Sequence, residues 1–113
     1  MTLTETNGTM KSFLTIAFTA GTLALTAQNA NVVNAYNYMN DGQLAKAVEF
    51  IEPATTDAKT GASEKTWRYR GDIYRLIAMG TDQAVKDQFP QAMDKAVESY
   101  LKADELDAKG NNK

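Results

Sequence analysis

The segment from Lys65 to Arg75, KTWRYRGDIYR, sets cations and aromatic rings in alternation. Such a run has the chemistry to stack bases and hold phosphates along a single nucleic-acid strand. The charge of the whole chain argues against that use. Twelve Lys and Arg are set against fourteen Asp and Glu, a net charge of -2, and a mildly acidic chain lacks the basic field that nucleic acid and anionic membranes require. A second cluster, Asp104, Glu105 and Asp107, reads as a solvated helix end rather than a catalytic pair. Histidine and cysteine are both absent from the sequence. That removes imidazole bases, thiolate nucleophiles, disulfides and zinc sites of the Cys/His kind. There is no glycine-rich phosphate loop and no metal-ligand spacing. The sequence predicts no enzyme: no catalytic residue, no cofactor and no metal.

Helices must position whatever these side chains do. From Ala30 to Asn40, Val32, Val33, Ala35, Tyr36 and Met39 fall at the three-and-four spacing of one helix face. Asn40-Asp41-Gly42 stops that helix, with Gly42 suited to the left-handed conformation. Leu44, Ala47, Val48 and Ile51 resume the period, and Pro53 is expected to end or kink this second helix because it has no N–H for Glu49. Ala54 to Ser63 reads as a loop. Ser63 is a plausible N-cap, with Glu64 beside the positive helix end. The following helix carries Trp67, Gly71, Tyr74, Ile77 and Ala78 on one stripe and ends at Gly80. Asp82 to Gln88 can form a single extra turn. Pro90, expected at the first helical position, opens a last helix to about Leu106, whose stripe is Met93, Ala96, Val97 and Tyr100, with Leu101 and Ala103 alongside. Short connections imply antiparallel neighbours, so the fold class is all-α, helix hairpin upon helix hairpin.

The second helices of the two hairpins match. Ala47, Ile51 and Ala54 are spaced by four and three, as are Ala96, Tyr100 and Ala103, and each set follows a lysine. With Trp67, Gly71 and Tyr74 on the preceding helix and the ending Lys102-Ala103-Asp104-Glu105-Leu106-Asp107, this resembles the tetratricopeptide repeat (TPR). The resemblance implies a short α-solenoid of about two repeats, the first about 29–54 and the second about 64–108, with an insertion at 81–89. This sequence departs from the pattern at Asn31, in the place of the tryptophan, at Pro53 in the last turn, and at Ala108 in the place of the usual proline.

The N-terminal stretch has a different logic. No charged residue lies between Lys11 and Asp41, and Phe13 to Ala27 (FLTIAFTAGTLALTA) is small and apolar. A basic start, an apolar run and a small residue at its end form the pattern of a secretory signal peptide. The run is shorter than the ~20 residues that span a bilayer, so no stable membrane span is expected after cleavage. Residues 10–27 are assigned as signal peptide with cleavage after Ala27, 1–9 as an upstream extension, 28–109 as the helical domain and 110–113 as a tail or linker. The wider pattern, including Ile-Glu-Pro-Ala and Thr-Trp-x-Tyr-Arg-Gly, resembles secreted bacterial members of the repeat family. The expected location is periplasmic or extracellular.

The resemblance implies that the first helices of the hairpins line a concave groove for a protein or peptide partner. The candidate groove residues are Asn29, Val32, Tyr36 and Met39 from the first hairpin and Lys65, Arg68, Asp72 and Arg75 from the second. One apolar wall and one basic wall would suit a peptide with acidic and hydrophobic residues. Taken without a ligand, Arg68 and Asp72 are four apart and are expected to pair with each other on a solvated face. The rival reading is structural: a repeat segment of a longer protein, or a self-associating subunit, with Val97, Leu101 and the Asp104 side covered by a neighbour.

Overall fold

The computed structural model describes residues 29–109. The upstream extension at 1–9, the signal peptide at 10–27 and the tail at 110–113 lie outside the described residues. The helices are α1 (29–40), α2 (Leu44–Thr56), α3 (Glu64–Met79), α4 (Gln83–Gln88) and α5 (Ala92–Ala108), with a 3-10 turn at Thr60–Ala62. No strand occurs among the described residues, and the protein is all-α. None of their helices is long and apolar enough to cross a membrane.

Gly42 ends α1 as its position requires. Its φ of 78° is left-handed, and the amides of Gly42 and Gln43 donate to the carbonyls of Met39 and Tyr38. This pair of bonds is the Schellman closure, which satisfies carbonyls that a helix end leaves open. Pro53 does not end α2, which continues to Thr56. Pro53 and Glu49 both lie on the exposed face, so water can serve the carbonyl that proline leaves unpaired. Ile51 and Ala54, buried on the other face, hold the helix across the gap. The expected loop is correspondingly shorter and more ordered. Asp57 accepts from the amides of Thr60 and Lys59, which together hold its carboxyl below the usual range. The buried Thr60 hydroxyl donates to the Ala54 carbonyl at 2.7 Å.

Ser63 and Glu64 open α3 where expected, although the Ser63 hydroxyl makes no capping bond. The helix packs against both α2 and α5, so its buried face is wider than one stripe. Thr66, Arg70, Gly71, Ile73, Tyr74 and Ile77 are all buried. Trp67 is only half-buried. Its indole N–H donates to the Gly61 carbonyl at 2.7 Å, tying α3 to the 3-10 turn rather than filling the centre. Replacing Trp67 by phenylalanine keeps one aromatic ring but removes the pyrrole part of the indole and that bond, with an expected loss of at least about 1 kcal/mol in urea denaturation. No measurable loss would mean the indole bond does not secure the turn.

Asp82 caps α4, its side chain accepting from the Val85 amide. The 81–89 insertion also contributes to the core: Phe89 packs edge-on against Tyr74, with ring centroids 6.1 Å apart. Pro90 precedes α5 instead of opening it. The Ala92 amide donates to the Phe89 carbonyl at 3.1 Å, which makes Pro90 the second residue of a β-turn, a position that suits its fixed φ. The phase of α5 also differs from the expected stripe. Ala92, Ala96, Ser99, Ala103 and Leu106 are buried, whereas Met93, Val97 and Leu101 are exposed. Small side chains allow α5 to approach α3 closely at Gly71, where an added Cβ would come within 2.7 Å of the Tyr100 ring.

Ala35, Ala47, Val48, Ile51, Ile73, Tyr74, Ile77, Ala92 and Ala96 form one core. Arg70 runs through its edge. The guanidinium donates to Glu52 of α2 and to Glu98 and Ser99 of α5, while the Tyr74 hydroxyl also donates to Glu52. Burial opposes the guanidinium charge, but Glu98 and Glu52 more than offset it and raise its pKa further. Burial and the bond to Glu52 push the Tyr74 phenol well above the usual tyrosine range. Three helices are thus pinned by one cation.

Candidate functional site

A groove of about 450 Å³ opens where α1, the 3-10 turn and the start of α3 meet. Val32, Val33 and Tyr36 reach it from α1 because α1 buries only Ala35 fully. Tyr69 closes the floor from α3, its ring 4.8 Å from that of Tyr36 and tilted by 33°. Thr60, Ser63 and Thr66 supply hydroxyls, and Lys59 and Lys65 supply two ammonium groups. No carboxylate is among the described residues that line the groove. It is therefore an aromatic, apolar trough with a positive rim, suited to apolar side chains accompanied by negative charge.

Four of the eight expected groove residues meet here: Asn29, Val32, Tyr36 and Lys65. Met39 does not join them, since it packs against the core beside Tyr38. Arg68 and Asp72 face the other way, into a trough of about 380 Å³ between α3 and α5, together with Glu64, Tyr100, Ala103, Asp104 and Asp107. That trough holds four carboxylates and one guanidinium, so Arg68 builds no basic wall.

The expected Arg68–Asp72 pair is replaced by two others. Arg68 donates to both carboxylate oxygens of Glu64, at 2.9 and 3.0 Å. Asp72 accepts from the Tyr100 hydroxyl at 2.5 Å, and that oxygen accepts from Arg75 Nε at 3.0 Å. Burial and the bond to Asp72 raise the Tyr100 pKa, and Tyr100 in turn raises that of Arg75. Asp72 and Arg75 thus brace Tyr100 over Gly71. Their reason for being on α3 is packing.

Sequence reasoning missed Tyr69, Lys59 and Thr60. Tyr69 had a usable signal, since it follows Lys65 by four residues and so shares its helix face. Lys59 and Thr60 had none, because only the folded turn brings them to α1. Among the described residues no group of three or more carboxylates is disposed to hold a metal ion. No family model matches the chain, and neither the curated proteins nor the solved structures searched give a match.

Proposed function

We propose that this chain is an exported, non-catalytic interaction module of the TPR type, holding a hydrophobic and acidic peptide in the α1/α3 groove. The observation that carries this reading is the composition of the groove: the paired rings of Tyr36 and Tyr69, flanked by Lys59 and Lys65, with no carboxylate among the described residues that line it. Tyrosine is well suited to recognition because it presents a large ring at low entropic cost, and the lysines select for a negative partner. The solenoid reading draws support from the two matched sets, Ala47-Ile51-Ala54 and Ala96-Tyr100-Ala103. In each, both alanines are buried beside a larger residue. Export rests on the sequence of residues 10–27.

The test uses the full chain and two labelled peptides, one of alternating leucine and aspartate with a phenylalanine anchor, the other with lysine for aspartate. The acidic peptide should bind and the basic one should not. Tyr36→Ser with Lys65→Glu, both at exposed positions, should weaken the acidic peptide at least about tenfold, the worth of a lost aromatic contact and a reversed charge. Equal binding by the variant would remove the groove from the argument. If no acidic peptide binds, the purely structural reading of the chain takes its place.

A further inference from the structure

The two hairpins share one internal register. Aligning Ala47, Ile51 and Ala54 with Ala96, Tyr100 and Ala103 places Leu44, Val48 and Glu52 of α2 at the positions of Met93, Val97 and Leu101 of α5. On α2 this stripe is covered by α3. Val48 is 7% exposed and sits in the core with Ile73 and Ile77, and the Glu52 carboxylate is bonded by Arg70 and Tyr74. On α5 the same stripe has no cover among the described residues: Met93 is 47%, Val97 51% and Leu101 65% exposed. Acidic groups border it on both sides. Asp94, Glu98 and Glu105 share a shallow depression with Val97 and Leu101, and Asp104 and Asp107 line the trough toward α3. Glu98 is paired with Arg70, and Glu105 with Lys102 and Lys109, so Asp94 on one side and Asp104 and Asp107 on the other carry the negative charge of the borders.

We propose that the Met93–Val97–Leu101 face of α5 docks a basic amphipathic helix from another polypeptide. The chain contains its own precedent: α3, which covers the equivalent stripe of α2, sets Arg70 on Glu52 while Ile73 and Ile77 share the core with Val48. Charge decides among occupants. A second copy laid α5 against α5 would set two acid-bordered stripes together, whereas a lysine- or arginine-flanked helix would neutralise both borders as it buries the apolar centre. The inference does not depend on the α1/α3 groove being occupied.

The probe is a labelled helical peptide of about 18 residues, with a leucine stripe flanked by lysines, and a control with glutamate for lysine. Both are titrated onto the full chain at an ionic strength of about 0.15 M. The lysine peptide should bind saturably and at least about tenfold tighter than the control. Val97→Ser with Leu101→Ser should weaken it about tenfold or more with circular dichroism unchanged, since both side chains are exposed in the free protein. Asp104→Lys with Asp107→Lys should weaken it while leaving the apolar stripe intact. The Tyr36→Ser, Lys65→Glu variant should bind it normally, which separates failure here from failure of the groove. Retained binding by the serine variant would overturn the proposal, because simple attraction to an acidic protein would then suffice. So would a dimer, seen in sedimentation of the chain alone, that the serine substitutions dissociate.

Discussion

Replacing Arg70 by methionine is expected to lower the unfolding free energy by about 3 kcal/mol, the scale on which losing one partner of a buried ion pair is felt. Methionine keeps an unbranched stem but removes the guanidinium, which lies over the rings of Trp67 and Tyr74, and leaves Glu52 and Glu98 without their shared cation. Both carboxylates retain some access to water, which keeps the figure from the top of the range. The Ser99 hydroxyl also loses its donor, although its own bond to the Lys95 carbonyl remains. Adding Glu52→Gln and Glu98→Gln should restore a large part of the loss, since no unpaired charge is then held at the junction. Urea denaturation of the single and triple variants measures this. A loss below about 1 kcal/mol for Arg70→Met would show that the cation does not secure the three-helix junction.

The second large effect is expected at Gly71. A Cβ there would stand 2.7–3.0 Å from three carbons of the Tyr100 ring. That ring is not free to swing away, because its hydroxyl donates to Asp72 and accepts from Arg75. Gly71→Val should therefore separate α3 from α5 and destabilise by about 2–3 kcal/mol, in the range of overpacked cores. A double-mutant cycle isolates the cause. In a Tyr100→Ala background the same substitution should cost less than about 1 kcal/mol, because the obstacle is gone and valine is the better helix former. An equal loss in both backgrounds would place the conflict elsewhere.

Four of the ten described residues that line the groove were legible in the sequence. Asn29, Val32, Tyr36 and Lys65 were assigned to it on the resemblance to the repeat family, and the structure brings them to one trough. Arg68, Asp72 and Arg75 were assigned to the same wall because they share a charged stripe on α3. That stripe lies on the boundary between two neighbours: Lys65 and Asp72, only about 20° apart around the helix, line the α1 groove and the α5 trough respectively, and Arg68, less than a turn after Lys65, already faces α5. Spacing along one helix cannot say which neighbour each residue meets.

The sequence by itself determined the features whose causes are local. The stop at Gly42 needs only a residue tolerant of positive φ, the turn of α4 only Asp82 ahead of its amides, and the all-α class only the repeated three-and-four spacing of apolar residues. Tertiary structure alone decided the buried face of α5, the place of Arg70 and the path of α2 through Pro53. Hydropathy ranks Met93, Val97 and Leu101 above Ser99, yet Ser99 is buried and the other three are exposed, because close approach to α3 at Gly71 selects for size before apolarity. Arg70 reads as a surface cation until Glu52 and Glu98, 18 and 28 residues away, supply the charge that lets it be buried. Proline's missing bond is tolerated where packing on the opposite face outweighs it. In each case the deciding partner is distant in the chain, and its distance is set only when the helices meet.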